Sequence, residues 1–285
     1  EVATVTAIKF SGSNGGTGST VVDLDGIYLE ADHGIGTTAN WTEFSEIVNA
    51  GLTKVNVSMT ADVDAGSTMV GTSSNLYQGT FEGAGHTLTF TYSDANGEYI
   101  APFQYAQSAT FNNLLTAGSI SAKNMLGGII ANACGACTLN NCGSTMTLAA
   151  SNGSSDSRIG GLVARCADNS TPAGTGITFN YCYYGGNISS SNNQMCGLLG
   201  WLRGLTATVN NCLIAPTSTV TGGGQNIAST GSGNNSAAAT VTATSAYTTK
   251  KFGNSSQGNV ATEVQLLSGS LAYDLKELCS LVRRI

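Results

Sequence analysis

An all-β parallel β-helix, a β-solenoid, is the fold this sequence predicts, and three observations predict it. A five-residue word occurs four times, as Thr110-Phe111-Asn112-Asn113-Leu114, Thr138-Leu139-Asn140-Asn141-Cys142, Thr178-Phe179-Asn180-Tyr181-Cys182 and Thr208-Val209-Asn210-Asn211-Cys212. A second apolar word follows the first three copies, as Leu126-Gly127-Gly128-Ile129-Ile130, Ile159-Gly160-Gly161-Leu162-Val163 and Met195-Cys196-Gly197-Leu198-Leu199. The chain also holds 37 glycines, 3 prolines and only 10% charged residues, which favours short strands and Gly-rich turns over long helices.

Two words recurring in the same order mean stacked, equivalent units. The apolar pieces of one unit, such as Thr138 to Leu139, Met146 to Leu148 and Ile159 to Val163, are too short to hold a core alone. Stacking pairs equivalent pieces in parallel and merges their inward side chains into one core. The column Asn112, Asn140, Asn180 and Asn210 then reads as a structural ladder, and Cys142, Cys182 and Cys212 as a column of buried thiols. Stacked cysteines sit about 4.8 Å apart, wider than the roughly 3.5–4.5 Å between Cβ atoms that a disulfide needs. Bridges from Cys134 to Cys137, or from Cys166 to a neighbouring coil, stay open.

Taken in order, Val2 to Phe10 alternates as a strand, and Thr20 to Ala31 reads as a hairpin around Asp25-Gly26, giving an N-terminal β segment over residues 1–39. Residues 40–51 spell a helix, with Asn40 as N-cap, Trp41, Phe44, Ile47 and Val48 on one face, and Gly51 ending it. Its expected role is to plug the apolar end of the solenoid that runs over residues 40–285. Val55 to Val63 alternates, and Ile100-Ala101-Pro102-Phe103 stands where later repeats carry the Gly-Gly word. The first words start 28, 40 and 30 residues apart, the long interval being filled by loops rich in Ser, Gly and Asn. Thr221 to Ala239 is poor in apolar residues, Thr240 to Tyr247 alternates again, and helical spacing over about 262–279 predicts a C-terminal helical cap.

The net charge of −6 gives no electrostatic footprint for nucleic acid, and no run is long enough for a membrane-spanning helix. Between Tyr99 and Thr249 the acidic residues are Asp156 and Asp168, and the basic ones Lys123, Arg158, Arg165 and Arg203.

The words Trp41-Thr42-Glu43-Phe44 with Val48-Asn49-Ala50-Gly51, Met59-Thr60-Ala61-Asp62-Val63-Asp64, Gly79-Thr80-Phe81-Glu82-Gly83-Ala84-Gly85-His86-Thr87-Leu88, and the Gly-Gly-Leu and Asn-Cys words resemble the GLUG-type repeat proteins exported by Bacteroides-like bacteria. The likeness runs from about Trp41 to Ile214, with Glu82, Ala84 and Cys196 departing from the family's usual residues. It implies a right-handed β-helix, secreted or on a bacterial surface, in an adhesin-like role of binding or display. It carries no catalytic residue across.

Candidate sites are few. Tyr183, Tyr184 and Trp201, with Tyr99, are the aromatics expected to form an exposed glycan-stacking face. Asp62 and Asp64, with Glu82, are the one acidic grouping suited to calcium; a turn-capping role is the alternative. His86, with no nucleophile or metal motif beside it, reads as structural. The expected function is therefore non-catalytic adhesion or binding to a host or bacterial surface glycan or protein, with no cofactor beyond calcium. A carbohydrate-active enzyme, whether lyase or glycoside hydrolase, or a structural spacer is the alternative. The enzyme class needs charged side chains gathered in one groove, and an ice-binding face needs regular Thr-x-Thr rows where the repeat supplies Thr-x-Asn.

Overall fold

The computed structural model describes residues 34–151, 157–190, 195–217, 224–262 and 264–265. The strand read at Val2 to Phe10, the hairpin at Asp25-Gly26 and most of the C-terminal cap lie outside the described residues. Within them the chain is a parallel β-solenoid, whose rungs fall on three faces.

The first face stacks Val57–Met59, Thr80–Glu82, Thr110–Asn112, the second half of Ile130–Asn140, Gly174–Asn180, Thr206–Asn210 and Thr240–Thr244, all parallel. The word that the sequence shows four times thus has six rungs, because Thr80-Phe81-Glu82 and Thr242-Ala243-Thr244 stand in the same register. Phe81, Phe111, Leu139, Phe179 and Val209 point inward from this face and are wholly buried. The corner after each strand is turned by the fourth letter of the word: Asn113, Asn141, Tyr181 and Asn211 all have φ near +50°. Asn tolerates that left-handed backbone better than most residues, which accounts for its recurrence there.

The second face begins with Val63–Asp64, Thr87–Ile100 and Leu115–Gly127, and later coils break it into short strands such as Tyr183–Tyr184 and Met195–Cys196. The third face stacks Phe103–Gln107, the first half of Ile130–Asn140, Val163–Ala167, Leu199–Arg203 and Ala228–Gly231. Ile100 pairs with Leu126 and Phe103 with Ile130, so the Ile100 to Phe103 segment is a rung equivalent to the Gly-Gly words, and Val70 bridges to Phe103 from the coil before it. A further coil at Gly224–Gln225 and Ala228–Gly231 occupies the stretch that looked poor in apolar residues. Its inward positions are filled by Ile227 and Ala228, and its buried Asn226 replaces the glycine of the earlier coils.

The first helix, α1, spans Thr38–Asn49. Its N-cap is Thr37, whose hydroxyl accepts the Asn40 N–H at 3.2 Å, which corrects the reading of Asn40 as the cap. Ser45 takes the buried place expected of Ile47, donating its hydroxyl to the Met69 carbonyl at 2.7 Å. The helix ends at Gly51 (φ +115°) with bonds from the Gly51 N–H to the Val48 carbonyl and the Leu52 N–H to the Ile47 carbonyl, a left-handed stop that glycine makes at low cost. Trp41 and Phe44 reach into the open coil and meet Phe81 and Phe103 with ring centroids 5.5–6.5 Å apart. The helix is therefore the aromatic plug of the N-terminal end.

At the other end the third face is closed by one side chain. The Gln257 amide accepts the N–H groups of Ile227 and Ala228 and donates to the Ala228 carbonyl, capping the start of the last strand's edge. Thr262 and Gln265 then form a reciprocal capping box, each side chain taking the other's backbone N–H.

Candidate functional site

The structure separates the three predicted aromatics. Tyr184 is fully buried, its hydroxyl donating to the Met146 carbonyl at 3.1 Å, so it belongs to the core and not to a glycan platform. Strand alternation explains this: Cys182 points inward, and Tyr184 two residues on points the same way. Tyr183 is half-buried on the outside of the second face, stacked in register between Gly143 and Leu213. Trp201 lies on the third face with the Arg158 guanidinium 4.1 Å from its ring centroid, so one ring face is already covered.

Asp62, Asp64 and Glu82 are likewise not brought together. Asp62 Oδ1 accepts the Thr87 N–H at 2.8 Å and lies 3.4 Å from His86 Nδ1. Asp64 Oδ1 accepts the Gly66 N–H at 2.9 Å, and Glu82 Oε1 accepts the Ala84 N–H at 2.7 Å and the Asn113 amide at 2.9 Å. Asp64 and Glu82 each cap their own turn and Asp62 caps the start of the Thr87 strand in the next coil, and among the described residues no three His, Cys, Asp or Glu side chains converge on a point.

The seven described cysteines are free and buried. Cys142, Cys182 and Cys212 stack in one column, the Cys182 N–H donating to Cys212 Sγ at 3.3 Å, and Cys142 Sγ donating to the Asn140 carbonyl at 3.3 Å. Cys137 Sγ donates to the Cys134 carbonyl at 3.4 Å, with no bridge between these two. Burial pushes the Cys137 and Cys142 thiols up to about 12 and Cys134 and Cys196 up to about 11, from an ordinary 9.0. These thiols are therefore expected to resist alkylation at pH 8 in the folded protein and to react at once in denaturant, as mass spectrometry of labelled protein will show. The linkage has one sign: the stabilising preference for neutral thiols is complete below pH 9 and is lost as pH rises towards 12. Fast labelling of Cys142 in the native state would contradict this.

What the fold does assemble is a two-lane polar face. Thr80, Thr110, Thr138, Thr178, Thr208 and Thr242 form one outward column in continuous register. Two residues on, Asn112, Asn140, Asn180 and Asn210 form the second, each amide donating to the one before it at 2.8–2.9 Å. An amide has two donors and two acceptor sites, so Asn140 and Asn180 each keep one of each for another molecule. The lanes form a grid of about 4.8 Å along the axis by about 6.6 Å across, over about 24 Å of length. Threonine's β-branch restricts its rotamer, so the hydroxyls are held at regular positions. Glu82 is the sole charge in these two columns.

The four basic residues between Tyr99 and Thr249 also come to one side. Tyr105, Asn132, Arg165 and Trp201 are register partners on successive rungs of the third face. Tyr99 stacks on Tyr105 with centroids 5.7 Å apart and planes 25° apart. Lys123 pairs with Glu98 beside this tyrosine, and Arg203 with Asp168 at 2.8 Å just beyond Trp201. Burial raises the Tyr105 phenol, with the nearby Arg165 opposing the rise. Neither the extra Thr rungs nor this basic band shows as a motif, because both depend on coil register.

No protein-family model matches the chain, and no curated protein or solved structure matches it.

Proposed function

We propose that the chain is a non-catalytic binding module, secreted or displayed on a bacterial surface, whose Thr–Asn face holds an extended, uncharged glycan. The observation that carries this is the two-lane grid: fixed hydroxyls beside amides with spare donors and acceptors, which suits a chain of regularly spaced sugar hydroxyls. The GLUG-like words support the location. Among the described residues no helix is long and apolar enough to cross a membrane.

The test is binding of the purified chain to an array of neutral host, plant and bacterial glycans, with and without chelator. The double substitution Thr138→Val, Thr178→Val keeps shape and branching while removing two central hydroxyls. It is expected to weaken binding about tenfold. Chelation is expected to change nothing, because Asp62, Asp64 and Glu82 are engaged at separate backbone N–H groups and do not converge on one point. Unchanged binding by the double variant would remove this face from consideration, and release of new reducing ends from a bound glycan would overturn the non-catalytic reading.

The grid itself favours a second reading, an ice-binding face, since rigid, evenly spaced hydroxyls order water. One full Thr-x-Thr-x-Thr row is present at Thr240–Thr244, and a Thr-x-Thr pair at Thr206 and Thr208. Freezing hysteresis lost in the same double variant would select it.

A further inference from the structure

We propose that the band running from Lys123 through Tyr99, Tyr105, Arg165 and Trp201 to Arg203 is a second binding site, for a carboxylate-bearing polysaccharide. It deepens the glycan-binding reading but occupies a different face from the Thr–Asn lanes, so the two can fail separately.

The placement of charge carries the argument. The chain has 11 Lys and Arg against 17 Asp and Glu, yet all four basic residues between Tyr99 and Thr249 gather along this band. They come from positions 123, 158, 165 and 203, and only coil stacking brings them together. Their engagements differ. Lys123 and Arg203 are neutralised by Glu98 and Asp168, and Arg158 lies over Trp201. Arg165 stands midway along the band and donates Nη2–H to the Asn169 side-chain oxygen at 2.7 Å, a neutral partner. A guanidinium has five N–H donors in a planar fork, so Arg165 retains both its charge and the geometry to grip a carboxylate with two bonds.

The aromatic neighbours fit a sugar ring. The stacked Tyr99 and Tyr105 pair lies two rungs from Arg165 and both phenols are only half-buried, so a ring stacked there places a neighbouring uronate near the guanidinium. Tyr99 holds φ +58° at a corner, which fixes the ring's position without a flexible loop. Flat stacking beside a guanidinium whose one side-chain partner is neutral matches a linear polyuronate better than a neutral chain.

Polygalacturonate and its fully methyl-esterified form are the probes, since they share a backbone and differ in charge. Isothermal titration of the full chain is expected to show at least about tenfold tighter binding to the acid form, and weakening of that binding as salt is raised. Arg165→Gln is expected to lose about tenfold for the acid polymer and little for the ester. Tyr99→Asn, a residue that accepts the same backbone, serves as the second variant and is expected to weaken both polymers while melting like the parent. Both titrations are repeated in the Thr138→Val, Thr178→Val background, so that ester held on the Thr–Asn face does not mask the difference between the two polymers. Equal affinity for the two polymers, or unchanged binding by both the Arg165 and the Tyr99 variants, overturns the proposal. In either of those cases the neutral-glycan reading stands or falls on its own variant.

Discussion

Replacing Phe103 with alanine is expected to cost about 3–5 kcal/mol of stability, the usual penalty for emptying a buried Phe site. Phe103 is fully buried at the hub of the N-terminal plug, with ring centroids 5.5 Å from Trp41, 5.4 Å from Tyr77, 5.1 Å from Phe81 and 4.7 Å from Phe111. The cavity opens between the helix and the first coils, so helix and coils lose their contacts together. Relaxation cannot fill it cheaply, because the surrounding rings are stacked on hydrogen-bonded rungs. In a thermal melt this corresponds to a fall of roughly 10 °C or more for a domain of this size. Amide exchange should quicken first at Thr80–Glu82 and along α1. A change below about 1 kcal/mol would show that the helix does not plug the end.

Gly161→Ala is expected to be nearly as damaging, at about 3 kcal/mol, for the opposite reason. A Cβ at Gly161 would stand 2.2 Å from the Gly197 carbonyl oxygen in the next coil and 2.4 Å from Cγ of Tyr184. The first contact is backbone, so no side-chain rotation relieves it, and overpacking of this kind costs about 1–3 kcal/mol even where neighbours yield. A cycle separates the two clashes. Tyr184→Ser alone removes a buried ring, whereas in the Gly161→Ala background it is expected to cost less, because one of the two clashes has gone. Chemical denaturation of the four proteins gives the coupling. Full additivity would mean that Tyr184 does not feel position 161.

The second glycine of the Gly-Gly word is thus set by the next coil's carbonyl together with the inward side chain of the neighbouring strand: Ser144 beside Gly128, Tyr184 beside Gly161 and Ile214 beside Gly197. Sequence shows that these glycines recur, and the structure supplies their cause. The same limit separates what was legible from what was not. The solenoid was legible because stacking writes its columns as repeated words, but the rungs at Thr80 and Thr242 were hidden where Glu82 and Thr244 replace the asparagine. Burial of Tyr184 was legible in principle, since it shares parity with Cys182. The basic band was not. Its residues are separated in sequence by loops of different length, and only the pairing of Arg165 with Trp201 and Asn132 fixes who neighbours whom. The calcium reading took three carboxylates from one sequence neighbourhood, and the fold engages them at separate backbone N–H groups without bringing them to one point.

The asparagine columns have an electrical direction. Every amide donates towards the N-terminal coil, Asn210 to Asn180 to Asn140 to Asn112 in one column and Asn141 to Asn113 in the other, so their dipoles add as the peptide dipoles of a helix do. The positive end of the second column meets the Glu82 carboxylate at 2.9 Å, the arrangement of an acidic residue at a helix N-terminus. A β-solenoid in which strand dipoles are weak thereby acquires a polar axis from its side chains. A ligand lying along the Thr–Asn face would meet a donor-to-acceptor sense running one way, and a polymer with distinct ends would be bound in one orientation.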